Sequence, residues 1–274
     1  MNENRKIIFD EFKGEIIIHT SQDFENMRKA GKLAAEVLDF IEPFVEIGVT
    51  TDKLDKLCHD FILKNDAVPA PLNYKGFPKS ICTSVNHVVC HGIPGQKVLK
   101  SNDIINIDIT VILNDWHGDT SRMFVVGETK LKAKKLINST YDAMWEGIKQ
   151  VRPGNTIGDI GSAIQEHAEG KGYSIVKDFC GHGIGQKFHT APNILHYGEK
   201  KKGVVLEEGM FFTIEPMINL GKREVLILED GWTAVTRDKK LSAQYEHTIG
   251  VTKTGYEVFT ISKKEKKEGK IFCC

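Results

Sequence analysis

Two aspartates, Asp108 and Asp119, stand in a setting that demands chemistry. Both lie in the stretch IINIDITVILNDWHGDTSRMFVV, residues 104–126. Ile104 to Leu113 reads as one strand and Thr120 to Val126 as another, with Asn114-Asp115 as turn chemistry between them. A two-residue turn there sets Leu113 opposite Trp116, Thr110 opposite Asp119, and Asp108 opposite Ser121. Side chains alternate along a strand, so Asp108, Thr110, Asp119 and Ser121 share one face. Asp108 and Asp119 become diagonal neighbours, roughly 7–8 Å apart at the backbone. Two carboxylates facing each other inside an apolar hairpin are costly without a cation. The pair is expected to hold a divalent metal, while Asp115 serves only the turn.

Two more acids stand in matching positions. Residues 99–108 align without gaps to residues 206–215, an offset of 215 − 108 = 107, so Glu215 falls onto Asp108. Upstream, Val45, Gly48, Thr50 and Leu54 fall onto Val151, Gly154, Thr156 and Ile160 at an offset of 106. A second acid follows each of the first pair: Asp119 after 11 residues and Glu246 after 31, which leaves about 20 residues inserted around Gly221 and Trp232. A period this long excludes a solenoid. It points to two related α+β halves about a shared site, each giving two carboxylates.

Among the histidines, His182 stands out, in the Gly-rich turn Gly181-His182-Gly183-Ile184-Gly185. That turn lacks the spacing and the following acid of a dinucleotide fingerprint. His91 and His189 also sit at strand ends or beside loops, where function gathers. His19, His59, His167 and His196 lie in helical or loop settings with no partner acid and are expected in surface or packing roles. His117 is expected on loop surface, and His247 on the strand face opposite Glu246. Four acids and one imidazole suit two divalent first-row ions rather than a closed structural zinc. Two such ions, roughly 3.5–4 Å apart, activate a shared water, polarise a carbonyl and steady a leaving group. The reaction class is metal-assisted hydrolysis.

The elements that position these residues read in order. A helix capped by Thr20 or Ser21 stops before Pro43, and a second follows Thr50-Thr51. Val68 to Pro78 is a loop, Ile81 to Val89 one strand, and the aspartate hairpin comes next. Helices run from about Lys132 to Gln150 and from about Ile157 to Gly170. Tyr173 to Val176 is a short strand. One strand from Met210 to Ile218 carries Glu215, and a last hairpin from Trp232 to Val251 carries Glu246. Lysine plus arginine and aspartate plus glutamate both number 37, so the whole chain makes no electrostatic case for nucleic acid or membrane. No apolar run approaches the ~18 residues of a membrane span, and the first residues lack an apolar signal core. Six cysteines without CxxC spacing fit reduced thiols in a cytoplasm.

Several motifs together closely resemble type I methionine aminopeptidase: Cys90-His91-Gly92-Ile93-Pro94, Asn106-Ile-Asp108-Ile-Thr110, His117-Gly-Asp119-Thr-Ser, Gly181-His182-Gly-Ile-Gly, Phe188-His189, Thr213-Ile-Glu215-Pro-Met, and Ser242-Ala-Gln-Tyr-Glu246-His-Thr. The resemblance runs from about Ile18 to Ile261. It implies the α+β pita-bread (creatinase/aminopeptidase-like) fold, with two pseudo-symmetric halves around a dinuclear metal site. Residues 1–17 are then an N-terminal extension, 18–261 one catalytic domain with halves at about 18–130 and 131–261, and 262–274 a charged, solvated tail rather than a prenylated end.

The implied metal ligands are Asp108, Asp119, His182, Glu215 and Glu246. Asp119 and Glu246 bridge two ions (cobalt, manganese, iron, nickel or zinc), His182 and Glu215 complete one, and Asp108 the other. His91 and His189 are the implied substrate-contacting histidines and Glu215 the implied general base. Tyr74, Phe77, Cys82, Phe188 and Trp232 form the implied methionine pocket. The activity implied is removal of the N-terminal methionine from nascent proteins and peptides, with a small second residue preferred. The setting implied is a cytoplasmic monomer that meets nascent chains at the ribosome, with no specific nucleic acid and no membrane. No Cys/His set precedes the domain, and only 215 − 182 = 33 residues separate His182 from Glu215, too few for the type II insertion. His87 stands where the family commonly has an acid.

Two rivals share the fold. A proline-specific peptidase usually carries a large additional N-terminal domain, and only about 90 residues precede His91. A non-catalytic binding relative should lack ligands, and all five are present. A nucleic-acid role for the Lys263–Lys270 tail is weakened by Glu265 and Glu268.

Overall fold

The computed structural model of the chain describes residues 5–10 and 14–268. Strands β1 (Ile7–Phe9) and β2 (Glu15–Ile17) pair antiparallel. The described part of the expected extension, residues 5–10 and 14–17, therefore packs against the domain. Ile16 is buried in a main core, and Arg5 is paired with Asp23. Helix α1 (Ser21–Ile41) opens on a capping box between Thr20 and Asp23, each side chain accepting from the other's backbone N–H, worth about 1 kcal/mol. Helix α2 (Thr51–Lys64) is capped by Thr50, and β3 (Val68–Pro69) follows.

Instead of one strand from Ile81 to Val89 there are two, β4 (Cys82–Val85) and β5 (Val88–Cys90). The chain turns at Asn86, whose φ is +58°. Asparagine tolerates that left-handed conformation, and its side chain is held by Asp103 and the Ile104 N–H. β6 (Ile104–Leu113) and β7 (Trp116–Val125) then form the aspartate hairpin in the expected register: Leu113 opposite Trp116, Thr110 opposite Asp119, Asp108 opposite Ser121. Asn114 and Asp115 both take positive φ, +48° and +66°, the signature of a type I′ turn.

The second half begins with α3 (Leu131–Ile148) and α4 (Ile157–Gly170). The strands β8 (Ser174–Ile175), β9 (Gly181–Gly183), β10 (Thr190–Ile194), β11 (Phe211–Ile214) and β12 (Met217–Asn219) follow. After them come β13 (Val225–Ile227), β14 (Ala234–Thr236), β15 (Ser242–Gln244), β16 (His247–Val251), β17 (Tyr256–Val258) and helix α5 (Lys263–Glu268). The expected strand from Met210 to Ile218 breaks at Glu215-Pro216, since proline offers no N–H to a ladder. β11 lies between β9 and β16, whereas β12 lies between β15 and β8. The expected hairpin from Trp232 to Val251 is likewise three strands in three sheets: β14 pairs with β13 and β5, β15 with β12, and β16 with β11 and β17. The inserted residues thus become the β13–β14 hairpin, which lays Trp232 beside the first half.

The internal repeat is visible in hydrogen bonds. Thr50 bridges Val98, and Thr156 bridges Val205. The Gly48 N–H donates to the Leu99 carbonyl at 2.9 Å, and the Gly154 N–H to the Leu206 carbonyl at 3.0 Å. Each half has its own core, one under α1 and α2, the other under α3 and α4. The halves meet where Ser121 bridges Glu246 and where the Asn106 amide donates to Ser121 and to the Gln244 carbonyl. That seam lies under the site.

The charged tail expected from residue 262 starts as folded structure. In α5, Glu265 is buried, bonding His247 and accepting from the Tyr141 hydroxyl. Cys273 and Cys274 lie outside the described residues. Among the described residues, no helix is long and apolar enough to cross a membrane.

Candidate metal centre and substrate pocket

A cavity of about 670 Å³ opens over the seam. Asp108 and Asp119 reach it from the hairpin face that the register assigns them. Asp119 is buried, and the Thr110 hydroxyl across the ladder donates to its Oδ1 at 2.7 Å. Its Oδ2 lies 3.6 Å from His182 Nε2. His182 is carried by β9, a strand and not the turn expected from its glycines. A Cβ at Gly183 would lie 2.0 Å from the Ala191 carbonyl oxygen, and one at Gly181 2.3 Å from that of Thr213. The glycines therefore let β9 slot between β10 and β11. The His182 Nδ1–H points to the Gly183 carbonyl at 3.1 Å, which leaves Nε2 as the ligating nitrogen.

Glu215 and Glu246 both stand at strand interruptions. Glu215 Oε1 accepts from the Thr213 hydroxyl at 2.9 Å and lies 3.7 Å from His182 Nε2; its Oε2 accepts from the Gln244 amide at 3.3 Å. Thr213 also accepts from the His182 N–H, so one hydroxyl orients two candidate ligands. The Glu246 backbone is tied to Ser121 and to the Thr120 hydroxyl. Asp119, His182 and Glu246 bring ligand atoms within 4.8 Å of one another. Asp108 and Glu215 complete a ring of five around the same cavity.

The electrostatics explain what the ring lacks. Burial, then the charges of Asp119 and Glu215, push Asp108 well above the carboxylate range. Burial, then its acidic neighbours, do the same to Glu246. Burial raises Glu215 to about 7, against the pull of His182. Burial opposes a proton on His182, but the carboxylates of Asp119 and Glu215 outweigh it and raise that histidine. Among the described residues, no lysine or arginine pairs with any of the four acids.

The other seven predicted residues line the same cavity. Tyr74 and Phe188 flank His189, with ring centroids 5.1 Å and 4.1 Å away. Trp232 meets Phe77 at 5.2 Å and His91 at 6.3 Å. Cys82 pairs with Asp108 across β4 and β6, and burial pushes its thiol well up. Burial first, then the proximity of His182, holds His189 below its ordinary value; burial does the same for His91. The lowered values favour the uncharged form of both rings, which can donate and accept hydrogen bonds.

Two histidines, His117 and His19, depart from the sequence reading, and His196, packed without a partner acid as expected, makes a contact that the reading did not foresee. His117 is on β7, not loop surface. It is buried, with Nδ1 bonded to the Gly185 carbonyl and its ring stacked on Phe188. His19 has a partner acid, Asp23, at 3.5 Å. His196 is 1% exposed, and its Nε2 accepts the backbone N–H of Glu215 at 3.1 Å. Phe179 and Met217 line the cavity without having been singled out. The spacing of Thr213 and Glu215, two apart in extended chain, is a readable signal. His196 offered none.

The sequence model of metallopeptidase family M24 matches residues 25–253. The chain belongs to metallopeptidase family M24. It is 62% identical over 251 residues to the methionine aminopeptidase of Rickettsia prowazekii, an alignment covering 91% of this chain and 97% of that protein. The crystal structure of the Rickettsia prowazekii enzyme superposes with a TM-score of 0.89, covering 89% of this chain and 99% of that one. A prolidase from Pyrococcus furiosus matches with a TM-score of 0.71 at 22% identity, over 89% of this chain and 65% of the prolidase. That likeness is one of fold. Membership in M24 implies a divalent metal, and the ring of five fits it: hard oxygen donors with one imidazole, buried, without a basic partner.

Proposed function

We propose that the chain removes the N-terminal methionine from polypeptides, as a metal-dependent aminopeptidase that prefers a small second residue. The observation that carries this reading is the convergence of five ligand-type side chains and two neutral histidines on one aromatic-walled cavity, in a chain 62% identical to a methionine aminopeptidase. Asp108, Asp119, His182, Glu215 and Glu246 would hold two divalent ions, drawn from cobalt, manganese, iron, nickel and zinc. When bound, they supply Lewis-acid polarisation of the scissile carbonyl and an activated water.

The chain's own residues do the rest. Glu215, the general base that the resemblance implies, takes the water's proton and returns it to the leaving amine. Thr213 and Gln244 hold its two oxygens in place. Neutral His189, set between Tyr74 and Phe188, hydrogen-bonds the scissile amide as its oxygen gains charge; His91 steadies the amide nitrogen. Tyr74, Phe77, Cys82, Phe188 and Trp232 form a slot with aromatic faces and a thiol, which suits a linear thioether. The substrates are nascent chains met in the cytoplasm, at the ribosome, by a monomer.

The test is to strip the protein of metal and measure methionine released from Met-Gly and Xaa-Pro peptides as Mn²⁺ or Co²⁺ is returned. Release of methionine restored by metal, with Xaa-Pro peptides intact, is the expected result. Cleavage of Xaa-Pro would move the chain to the proline-specific side of the fold, and a folded protein inert with every metal would make it a binding relative.

A further inference from the structure

The break between β11 and β12 leaves Glu215 outside both ladders, and a buried backbone N–H without a partner is rare. The partner here is a side chain. His196, two residues beyond the end of β10, accepts the Glu215 N–H on its Nε2 at 3.1 Å. The two residues are 19 apart in sequence and belong to segments that do not pair with each other. That bond is the polar contact His196 makes among the described residues, and its ring is 1% exposed.

Three anchors therefore fix Glu215. Thr213 holds one carboxylate oxygen, Gln244 the other, and His196 the backbone from which the carboxylate projects. The first two hold only the side chain; Ile214 ends its ladder opposite His247 and Pro216 removes the next donor, so without His196 the backbone at Glu215 is free to turn. A rotation there swings the carboxylate away from His182, now 3.7 Å distant.

We propose that His196 is a positioning residue: it sets the peptide at Glu215 and thereby the aim of that carboxylate toward the metal centre and the attacking water. The inference rests on the functional reading above for what Glu215 does. The competing account is that His196 merely fills space, in which case any side chain of similar volume would serve.

The experiment compares three full-length variants. His196→Leu and His196→Phe fill the space without an acceptor; His196→Gln offers an amide oxygen near the place of Nε2. Each is measured for kcat and KM on a Met-Gly peptide, for Mn²⁺ affinity by calorimetry on metal-stripped protein, and for Tm. If a positioning role holds, Leu and Phe lower kcat by about tenfold or more, in line with the cost of a misplaced group, while KM moves little. Mn²⁺ affinity falls with kcat, and Gln recovers most of both. Should Leu fail to fold, the Phe–Gln pair carries the comparison. Equal losses in all three variants, tracking Tm, would overturn the proposal in favour of space filling. So would wild-type kcat and Mn²⁺ affinity in Leu or Phe. If wild-type protein binds Mn²⁺ but releases no methionine, the functional reading fails, and the Mn²⁺ affinities still decide for or against His196.

Discussion

A single buried acid and a cluster of four lie on opposite sides of the chain at Glu246-His247, and the fold treats them differently. Behind the strands, Glu265 is supplied with partners. Burial works against its charge, but His247, the Tyr141 hydroxyl and the charge of Arg122 outweigh it, and its carboxyl stays below the ordinary range. In front, Asp108, Asp119, Glu215 and Glu246 face a cavity with His182 as their one imidazole ligand, and burial drives Asp108 and Glu246 far up. The same scaffold can satisfy a buried carboxylate and does so at Glu265. The front cluster is therefore a site whose compensation comes from outside the chain, which is what a cation-binding centre requires.

Acid-to-amide substitutions should break this comparison if it is wrong, because they carry opposite signs at the two sites. The largest effect is expected at Asp108. Asp108→Asn should cut kcat by about 10²-fold or more with the fold intact. It should also raise the Tm of metal-stripped protein at neutral pH. Asp108 has a folded value above its unfolded one, so the penalty for its charge is absent at low pH and grows as pH rises through the carboxylate range toward that raised value. Near-normal turnover, or a lower metal-free Tm, would count against a ligand role.

His189→Ala should lower kcat by about 10²-fold with ligands untouched, if the ring serves the transition state. A change confined to KM would contradict that. Trp232→Ala sharpens the boundary between metal centre and pocket. It should raise KM for methionyl peptides by about tenfold, the worth of one apolar pocket contact, with metal content unchanged. Metal loss would mean that Trp232 supports the centre instead.

The smallest effect on turnover is expected at Glu265. Glu265→Gln should cost about 2 kcal/mol of stability at neutral pH, as a charged hydrogen-bonded group is removed. Its folded value is depressed, so this stability is present above the ordinary carboxylate value and is lost as pH falls through the folded value. Urea denaturation at neutral pH and at about pH 3.5 checks this: the gap between variant and parent should shrink at the lower pH.

The same contrast shows what the sequence made legible. The β6–β7 hairpin could be registered rung by rung because a two-residue turn and a period of two are local rules. Carried one rung further, that register also takes His117 out of the loop, since the turn ends at Asp115. The Glu215 and Glu246 strands were read as continuous because their breaks depend on distant partners. Pro216 was the visible signal for one; nothing local marked the other. Glu265 was hidden by the lysines around it, although Ser262 three residues earlier gave a capping cue that the structure uses. His196 was not legible at all, because its partner is a backbone N–H exposed by a strand break.

The central claim is that the fold leaves the front cluster for divalent ions to neutralise. Its most direct test is calorimetric titration of Mn²⁺ into metal-stripped full-length protein at neutral pH, in two buffers of different ionisation enthalpy. The account predicts two ions bound per chain with protons released, because Asp108, Glu215 and Glu246 must shed them to ligate. Binding without proton release, or no binding to the folded protein, would contradict it.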